Sequence, residues 1–513
     1  MTYYLGLDVG TSGTKALLMD ARGSVLATAT SPHTLSSPKP GWSEQDPDGW
    51  YSASVEATRA VLAKAGIDGN QVAGIGLSGQ MHGLVITDDA GKPLRPSIIW
   101  NDQRTGDEAR QIEETVGGRA RLIDLVGNPA MTSFTLTKLL WVRQNEPAVY
   151  DRVRHLLLPK DYVRLKLTGE YVGEVSDMSG TLMLDQERRC WSDTILSTFE
   201  INRDILPPVI ESHEISGRLT KTAADELGLK EGTPVVGGGG DQPAGAVGNG
   251  VVREGLTSAT IGTSGVVYVH SDQYRVDPES RVNTFCSCVA GKWCLFGCVL
   301  SAGGSFQWLR NTLGQEFLAR AKSTGADVYD LMTQAAAESP PGSRGLFFLP
   351  YLTGERTPHA DPSARGAWVG ITSRTTRNDL VRSVLEGATF AMRDVLSILR
   401  QRGLQTDEIR LSGGGARSAF WRQLQADVYG TRCVTVNADE GPAYGVALLA
   451  AVGTGEFADI GEACESAISV TNTLVPDARR MKTYEALHRQ YQRLYPALKD
   501  EFAAISRAET SPS

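Results

Sequence analysis

The tetrapeptide Gly-Thr-Ser-Gly occurs twice, in "LGLDVGTSGTKALLMD" (Leu5–Asp20) and in "LTSATIGTSGVVYVHS" (Leu256–Ser271), 252 residues apart in a chain of 513. Each copy joins two apolar runs. Residues 3–9, "YYLGLDV", are apolar except for one acid near the end, as in a strand buried on both faces. "KALLMD" and "VLATAT" follow, split by the turn "ARG", which reads as a three-strand meander and not a strand–helix unit. A chain this long is expected to form two or more large domains. The pattern strand–GTSG–strand restarts after about residue 255. The expectation is therefore a duplicated α/β architecture, residues 1–250 and 251–513, with a cleft between the halves where a ligand would bind.

The segments between follow the same logic. Helical patterns cover Asp48–Ala65, "GDEARQIEETVGG", "SFTLTKLLWVRQNEPAVY", Phe306–Leu313, Tyr329–Glu338 and the long amphipathic "TRNDLVRSVLEGATFAMRDVLSILRQRG". "VAGIGLSG" reads as a short strand and "RPSIIWND" as a strand end. "RGLFFLPYLTGERTP" reads as a strand running into a loop. "EGTPVVGGGGDQPAGAVGNG" and "EIRLSGGGARSAFWRQLQADVYG" each read as strand, glycine turn, helix. The last 40 or so residues look helical, with "AETSPS" as a frayed tail.

A Gly-Thr-Ser-Gly hairpin has the chemistry of an anion cradle. Glycine lets the backbone approach a ligand closely, and successive N–H groups in such a turn form a nest for phosphate oxygens. In the first copy Gly10, Thr11, Ser12 and Thr14 supply N–H and hydroxyl donors, and Lys15 supplies charge. Asp8, at the strand's end, is placed to hold Mg²⁺, through water. Gly262, Thr263 and Ser264 repeat the set in the second half. A single copy is as well explained by a tight turn; two copies, each opening a domain, fit a polyphosphate gripped from both sides. A Walker A loop does not fit, because a strand follows the glycines. Gly413 and Gly415 begin a Gly-x-Gly-x-x-Gly pattern, but Ser418 takes the third place.

In "GGGGDQPAGAVG" Asp241 follows a buried strand and four glycines. That setting suits a general base, and it equally suits a helix N-cap. An unperturbed aspartate is already ionised at neutral pH, so a base role there needs no raised pKa. Cys286, Cys288, Cys294 and Cys298 offer two readings: a zinc site, for which the spacing is unusual, or a hairpin turning at Ala290-Gly291-Lys292 with thiols as small core residues. Seven cysteines argue against a disulfide framework.

Composition narrows the function classes. With 51 basic and 59 acidic side chains the net charge is −8, which gives no basic footprint for nucleic acid. No run has the length of a membrane span, and "MTYYLGLDVG" carries no signal-peptide pattern. The expectation is a cytoplasmic protein.

Together these stretches resemble the FGGY family of sugar kinases, within the actin/Hsp70-like, ribonuclease H-like superfamily. "LGLDVGTSGTK" resembles the family's first phosphate motif, "ATIGTSG" the second, "LSGGGARS" the adenosine motif, and "GAWVGITSRTTRNDLVRSVLEG" the C-terminal signature. Within the family, "LSGQMHGLV", "WNDQR" and "LSAGGSFQWLR" are similar to the xylulose-kinase branch, whose Met-His pair stands where glycerol kinases carry Arg-Glu. The resemblance implies two such domains around a cleft, with ATP and Mg²⁺ as cofactors and D-xylulose as substrate. It implies sugar binding by Met81 and His82, with Asn101, Asp102 and Gln242 as further contacts. Asp241 would accept the proton, Asp8 would support Mg-ATP, and Gly413, Gly414, Gly415 and Arg417 would hold adenosine. A homodimer is the expected assembly. The rival readings are a kinase of another ketose or polyol, ribulose among them, and a non-metabolic ATPase of the superfamily. The cysteine cluster departs from what the resemblance leads one to expect. His33, His155, His213, His270, His359 and His488 have no such context and read as structural.

Overall fold

The first three strands form the expected meander: β1 (Tyr3–Val9), β2 (Gly13–Asp20) and β3 (Val25–Pro32), each antiparallel to the next. The structure is a computed structural model that describes residues 1–438 and 440–510. Helix α1 (Pro47–Ala65) follows. Its first turn is set by Asp46, whose carboxylate accepts the Asp48 N–H at 3.1 Å, and by Pro47, whose missing N–H costs nothing there. The chain returns as β4 (Val72–Gly79), parallel to β1. Much later it adds β5 (Ile215–Arg218), β6 (Pro234–Val236) and β7 (Gly239–Gly240). The sheet order is β5-β6-β4-β1-β2-β3, with β7 also paired to β4.

The second sheet contains β8 (Gly255–Ile261), β9 (Gly265–Ser271), β10 (Asn283–Cys286), β11 (Trp293–Val299), β12 (Thr406–Ser412), β13 (Arg432–Val436) and β14 (Val470–Leu474). Its order is β10-β11-β9-β8-β12-β13-β14. Each sheet has its GTSG-bearing strand in the interior, β1 or β8. An antiparallel meander lies to one side, of two strands in the first sheet and three in the second. Two parallel strands and then an antiparallel one lie to the other. The repeat seen in four residues thus extends to the whole topology, which matches the ribonuclease H-like expectation.

Three helices tie the frame together: α2 (Asp241–Gly248), α3 (Arg377–Gln401) and α4 (Pro442–Gly453). Helix α3 is the spine of the second core; its start is fixed by a capping box between Thr376 and Asp379. Helix α4 belongs to the second half of the chain but packs against β1 and β4 of the first sheet, and crosses α2. Glycine makes this possible. A Cβ on Gly6 would lie 1.9 Å from the Ala443 carbonyl oxygen, and one on Gly76 would lie 1.9 Å from that of Val446. Consistent with this buried position, α4 is apolar nearly all round, with Ala443 through Val452 buried.

Between β4 and β5 the first half carries a group of short elements that cover its end of the cleft. The single helix expected over "SFTLTKLLWVRQNEPAVY" is two, Thr135–Asn145 and Pro147–Tyr150. Glu146 breaks it, because a residue before proline is pushed out of the α region. The last helix, Leu494–Thr510, runs into the segment expected to fray; residues 511–513 lie outside the described residues. Among the described residues no helix is long and apolar enough to cross a membrane.

Close helix–sheet packing gives a direct test. Gly6→Ala is expected to destabilise by about 1–3 kcal/mol, the usual cost of overpacking. Gly49→Ala, in α1 with nothing within 4 Å of the added methyl, is expected to stabilise by about 0.5–1 kcal/mol. Denaturant unfolding of the two variants beside the parent checks both signs.

Candidate active site

Three strands of the first sheet end side by side, and each delivers one part of a site. In register, Asp8 of β1 and Gly239 of β7 flank Ser78 of β4, while Val9 and Gly240 flank Gly79. From these ends β1 runs into the GTSG hairpin, β4 into Gln80-Met81-His82, and β7 into Asp241. The carboxyl edge of parallel strands is where such sheets bind ligands.

The two carboxylates share this edge. Burial pushes the Asp8 carboxyl up to about 6, although Lys15 and Ser78, its neighbours on the adjacent strands, pull it back. Its Oδ1 atom is buried and has no hydrogen-bond partner among the described residues. Burial, and next the negative charge of Asp8, push Asp241 up to about 7, with the Gln242 amides opposing. This corrects the expectation of an unperturbed aspartate: burial and the Asp8 charge hold Asp241 well above the usual carboxylate range. The cap reading also fails on position, since Gly240 is the N-cap and Asp241 the first helical residue. The glycines that precede it are required by crowding. Gly238 has φ +74° with the Leu77 carbonyl 1.8 Å from any Cβ, and a Cβ on Gly240 would strike Met81.

His82 occupies the left-handed region at φ +71°, a strained conformation for a residue with a side chain. Its Nδ1 lies 3.1 Å from the Gly180 carbonyl oxygen. A carbonyl only accepts, so Nδ1 carries the proton and Nε2 presents a lone pair. Burial first, and then the Lys138 charge, hold the ring neutral, with its pKa down to about 3. Phe134 packs edge-on at 4.9 Å, and Phe285 of the second half lies at 5.9 Å. Lys138 donates to the His82 carbonyl at 2.7 Å, and burial lowers its own pKa to about 7. Met81 is buried against Gly240.

The "WNDQR" loop divides its work. Asn101 Oδ1 is buried without a partner among the described residues. Asp102 is fully buried, and its four acceptor positions take the Ser43 N–H at 2.6 Å, the Arg104 N–H and Nε at 2.9 Å, and Arg104 Nη2 at 2.7 Å. It braces the loop; no acceptor position remains for the sugar contact expected of it. Trp100 donates its indole N–H to Thr11 Oγ1 at 2.9 Å, and Thr11 donates to Gln80 Oε1 at 3.2 Å. The hairpin is thus bonded to both neighbouring loops. Gln80 and Trp100 stood inside motifs quoted from the sequence without being assigned a role. Lys138, in the middle of a helix, gave no local signal.

The hairpins differ in what they leave free. In the first, the N–H of Gly10 bonds Asp8 and Gly13, while those of Thr11 and Ser12 have no partner among the described residues. Thr14 does not join them. It is buried, and its hydroxyl lies 2.9 Å from His33 Nε2, whose ring bonds the Gly10 carbonyl. Strand alternation turns Thr14 inward, away from any phosphate, and makes His33 the structural histidine expected. Lys15 forms an ion pair with Glu440 of the second half. In the second hairpin Gly262, Thr263 and Ser264 are exposed, and the carbonyls of Gly262 and Thr263 accept the Gly303 and Gly304 N–H groups at 3.0 and 2.9 Å.

Two cavities meet at the turn after β12. One, of about 490 Å³, is lined by Gly262, Thr263, Gly414, Gly415 and Arg417 together with Phe306, Tyr329 and Trp421. The sequence motifs predicted the first group but not the aromatic walls, which are brought in from three separate helices. The other, of about 230 Å³, holds Asp241 and Gln242 with Thr260, Ser412 and Gly413. Gly413 has φ +74°, with any Cβ 2.6 Å from the Ile261 carbonyl oxygen, so the turn lies flush against the second hairpin.

The cysteine hairpin reading stands: β10 pairs with β11, and Gly291 at φ +65° makes the turn. Burial pushes the thiol of Cys286 up to about 11 and that of Cys294 up to about 12, and raises Cys288 and Cys298 as well. Among the described residues no group of three or more His, Cys, Asp or Glu side chains is placed to hold a metal ion.

A titration tests the carboxylate pair without assuming a role for it. With ¹³C-labelled aspartate carboxyls in the unliganded protein, Asp241 is expected to titrate with a midpoint near 7. In Asp8→Asn the midpoint is expected to fall, because a repelling negative charge has been removed.

The family models for the N-terminal and C-terminal domains of FGGY carbohydrate kinases match residues 3–248 and 257–454. The xylulose kinase of Escherichia coli K12 is 38% identical over 496 residues, covering 96% of this chain and 99% of its own. The crystal structure of xylulose kinase from Rhodospirillum rubrum superposes with a TM-score of 0.90 at 30% identity, over 98% of this chain and 100% of that one. Gluconate kinase from Lactobacillus acidophilus gives the same TM-score at 27% identity, over 98% and 99%. With both family models matched across the two sheets that build this cleft, the chain belongs to the FGGY family of carbohydrate kinases.

Proposed function

We propose that the protein transfers the γ-phosphoryl group of ATP to D-xylulose, giving D-xylulose 5-phosphate. One observation carries the reading. The Asp241 carboxyl lines a cavity shared with Gly413, the turn that lies flush against the second GTSG hairpin, while the neighbouring strand β4 leads into buried Met81 and neutral His82. His82 Nε2 accepts a hydrogen bond from a sugar hydroxyl, Asn101 and Gln242 add polar contacts, and Met81 packs on the carbon face. No carboxylate or guanidinium is offered at the positions of Met81 and His82, which favours a neutral ketose over an aldonic acid.

Asp241 takes the proton of the attacking hydroxyl as the P–O bond forms. Phosphoryl transfer has a loose transition state, so the remaining work is positioning and charge balance. The free N–H groups of Thr11 and Ser12 face the phosphates from one half, and those of Thr263 and Ser264 from the other. Adenosine lies along Gly413–Arg417 between the aromatic walls. The donor set fits a divalent cation, since Asp8 Oδ1 is buried and unpartnered beside a second acid. Mg²⁺ held there, through water, would supply positive charge to the phosphates and draw Asp241 toward its ionised form. The halves 1–250 and 251–513 act as sugar and nucleotide domains of a cytoplasmic homodimer in this reading.

Asp241→Asn keeps the side-chain shape and removes the base. Turnover is expected to fall at least about a hundredfold with ATP affinity little changed; turnover within about threefold of the parent would overturn the base role. A coupled ADP-release assay over ketoses, polyols and aldonic acids is expected to rank D-xylulose first in kcat/KM. Ribulose or gluconate ahead by about tenfold, a difference of 1.4 kcal/mol in transition-state binding, would overturn the sugar assignment.

A further inference from the structure

Behind the site lies a charge cluster that the reaction does not use. Lys160, Asp161, Arg164, Glu174 and Asp177 are all 0% exposed. Lys160 Nζ lies 2.7 Å from Asp161, 3.3 Å from Asp177 and 3.8 Å from Glu174, and Arg164 lies 2.7 Å from Asp161. Fully buried ion pairs are poor stabilisers, because desolvation offsets their attraction and apolar residues of equal volume do as well. Their value lies in fixing geometry, and here the fixed object can be named.

The cluster holds the glycine run at both ends. Arg164 donates to the Gly237 carbonyl at the start. At the far end the Gly240 N–H donates to Ser176 Oγ at 3.1 Å, and that hydroxyl donates to Glu174 Oε2 at 2.9 Å. Glu174 Oε1 in turn accepts the Ser176 N–H at 2.7 Å and the Ser212 hydroxyl at 2.6 Å. Ser212 also receives the Gly238 N–H on its carbonyl at 2.8 Å. A run of four glycines has no side chains of its own to hold it, and it has the largest backbone freedom of any sequence. Its anchors are therefore the pairing of Gly239 and Gly240 with β4 and the groups of this cluster, and the one that takes the Gly240 N–H, next to Asp241, is the Ser176 hydroxyl.

We infer that Ser176, locked by the buried Glu174, is a positioning residue that sets the Asp241 carboxyl against the sugar hydroxyl. The inference rests on Asp241 being the base. Removing the hydroxyl frees the Gly240 N–H and lets the turn drift. Near-attack geometry is sensitive to shifts of an ångström or less.

A double-mutant cycle tests this. Ser176→Ala is expected to lower kcat about tenfold or more with KM for ATP within about twofold, and Ser176→Thr, which keeps the hydroxyl, to restore kcat to within about threefold. In the Asp241→Asn background the same Ser176→Ala change is expected to alter residual turnover by less than about twofold, because the group it positions is already gone. An equal loss in both backgrounds would mark Ser176 as structural and overturn the inference, while leaving the base role intact. If Asp241→Asn alone keeps near-parent turnover, the base reading fails and the inference fails with it. Should Ser176→Ala not fold, Glu174→Gln carries the same cycle, since it keeps the shape and removes the charge that holds Ser176.

Discussion

Everything in the cleft depends on one contact that crosses the chain's duplication. Helix α4 of the second half lies flush on the first sheet because Gly6 and Gly76 leave nothing between strand and helix backbone. The same helix crosses α2 at Gly445, where a Cβ would meet the Ala244 carbonyl at 1.9 Å. Helix α2 begins at Asp241, so the residue between the two halves is fixed by the packing that joins them. A small outward shift of α4 would disturb its contacts with β1, β4 and α2, and with them the position of Asp241.

The electrostatics of the site follow from that closeness. Asp8 and Asp241 end strands separated only by β4, where burial raises the cost of ionising both, and the Asp8 charge adds to that cost for Asp241. His82, a few residues along the strand between them, is kept neutral by burial and by Lys138. One face thus carries two buried carboxylates, and the other offers an uncharged hydrogen-bond acceptor. That division suits a reaction joining a polyanion to a neutral sugar, because each ligand meets the environment that lowers its own desolvation cost.

The motifs were legible because they occupy strand ends and turns, where local sequence dictates backbone shape. Gly10–Gly13 and Gly262–Gly265 are found as the turns between paired strands, and Gly413 at a positive φ that its glycine allows. Individual roles were less legible. Thr14 reads as a phosphate donor by proximity in sequence, yet strand alternation turns it into the core against His33. Asp102 reads as a sugar contact, yet Arg104, two residues on, closes back upon it. Asp241 reads as an ordinary acid, and only its burial beside Asp8 shows otherwise. Ser176, Lys138 and the aromatic residues Phe306, Tyr329 and Trp421 lie far in sequence from the groups they are brought beside, so no spacing rule reaches them.

The sequence by itself determined the duplication, the two hairpins, the glycine-crowded acid and the Met-His pair, and with them the family. These features are local: they depend on turn chemistry and strand periodicity, whose range is a few residues. Tertiary structure alone decided which acids perturb one another, which donors stay free, and which half supplies each wall. Those properties depend on distance and burial between residues separated by tens to hundreds of positions. The charge state of a carboxylate is set by water and neighbouring charge, and neither is encoded at its own position.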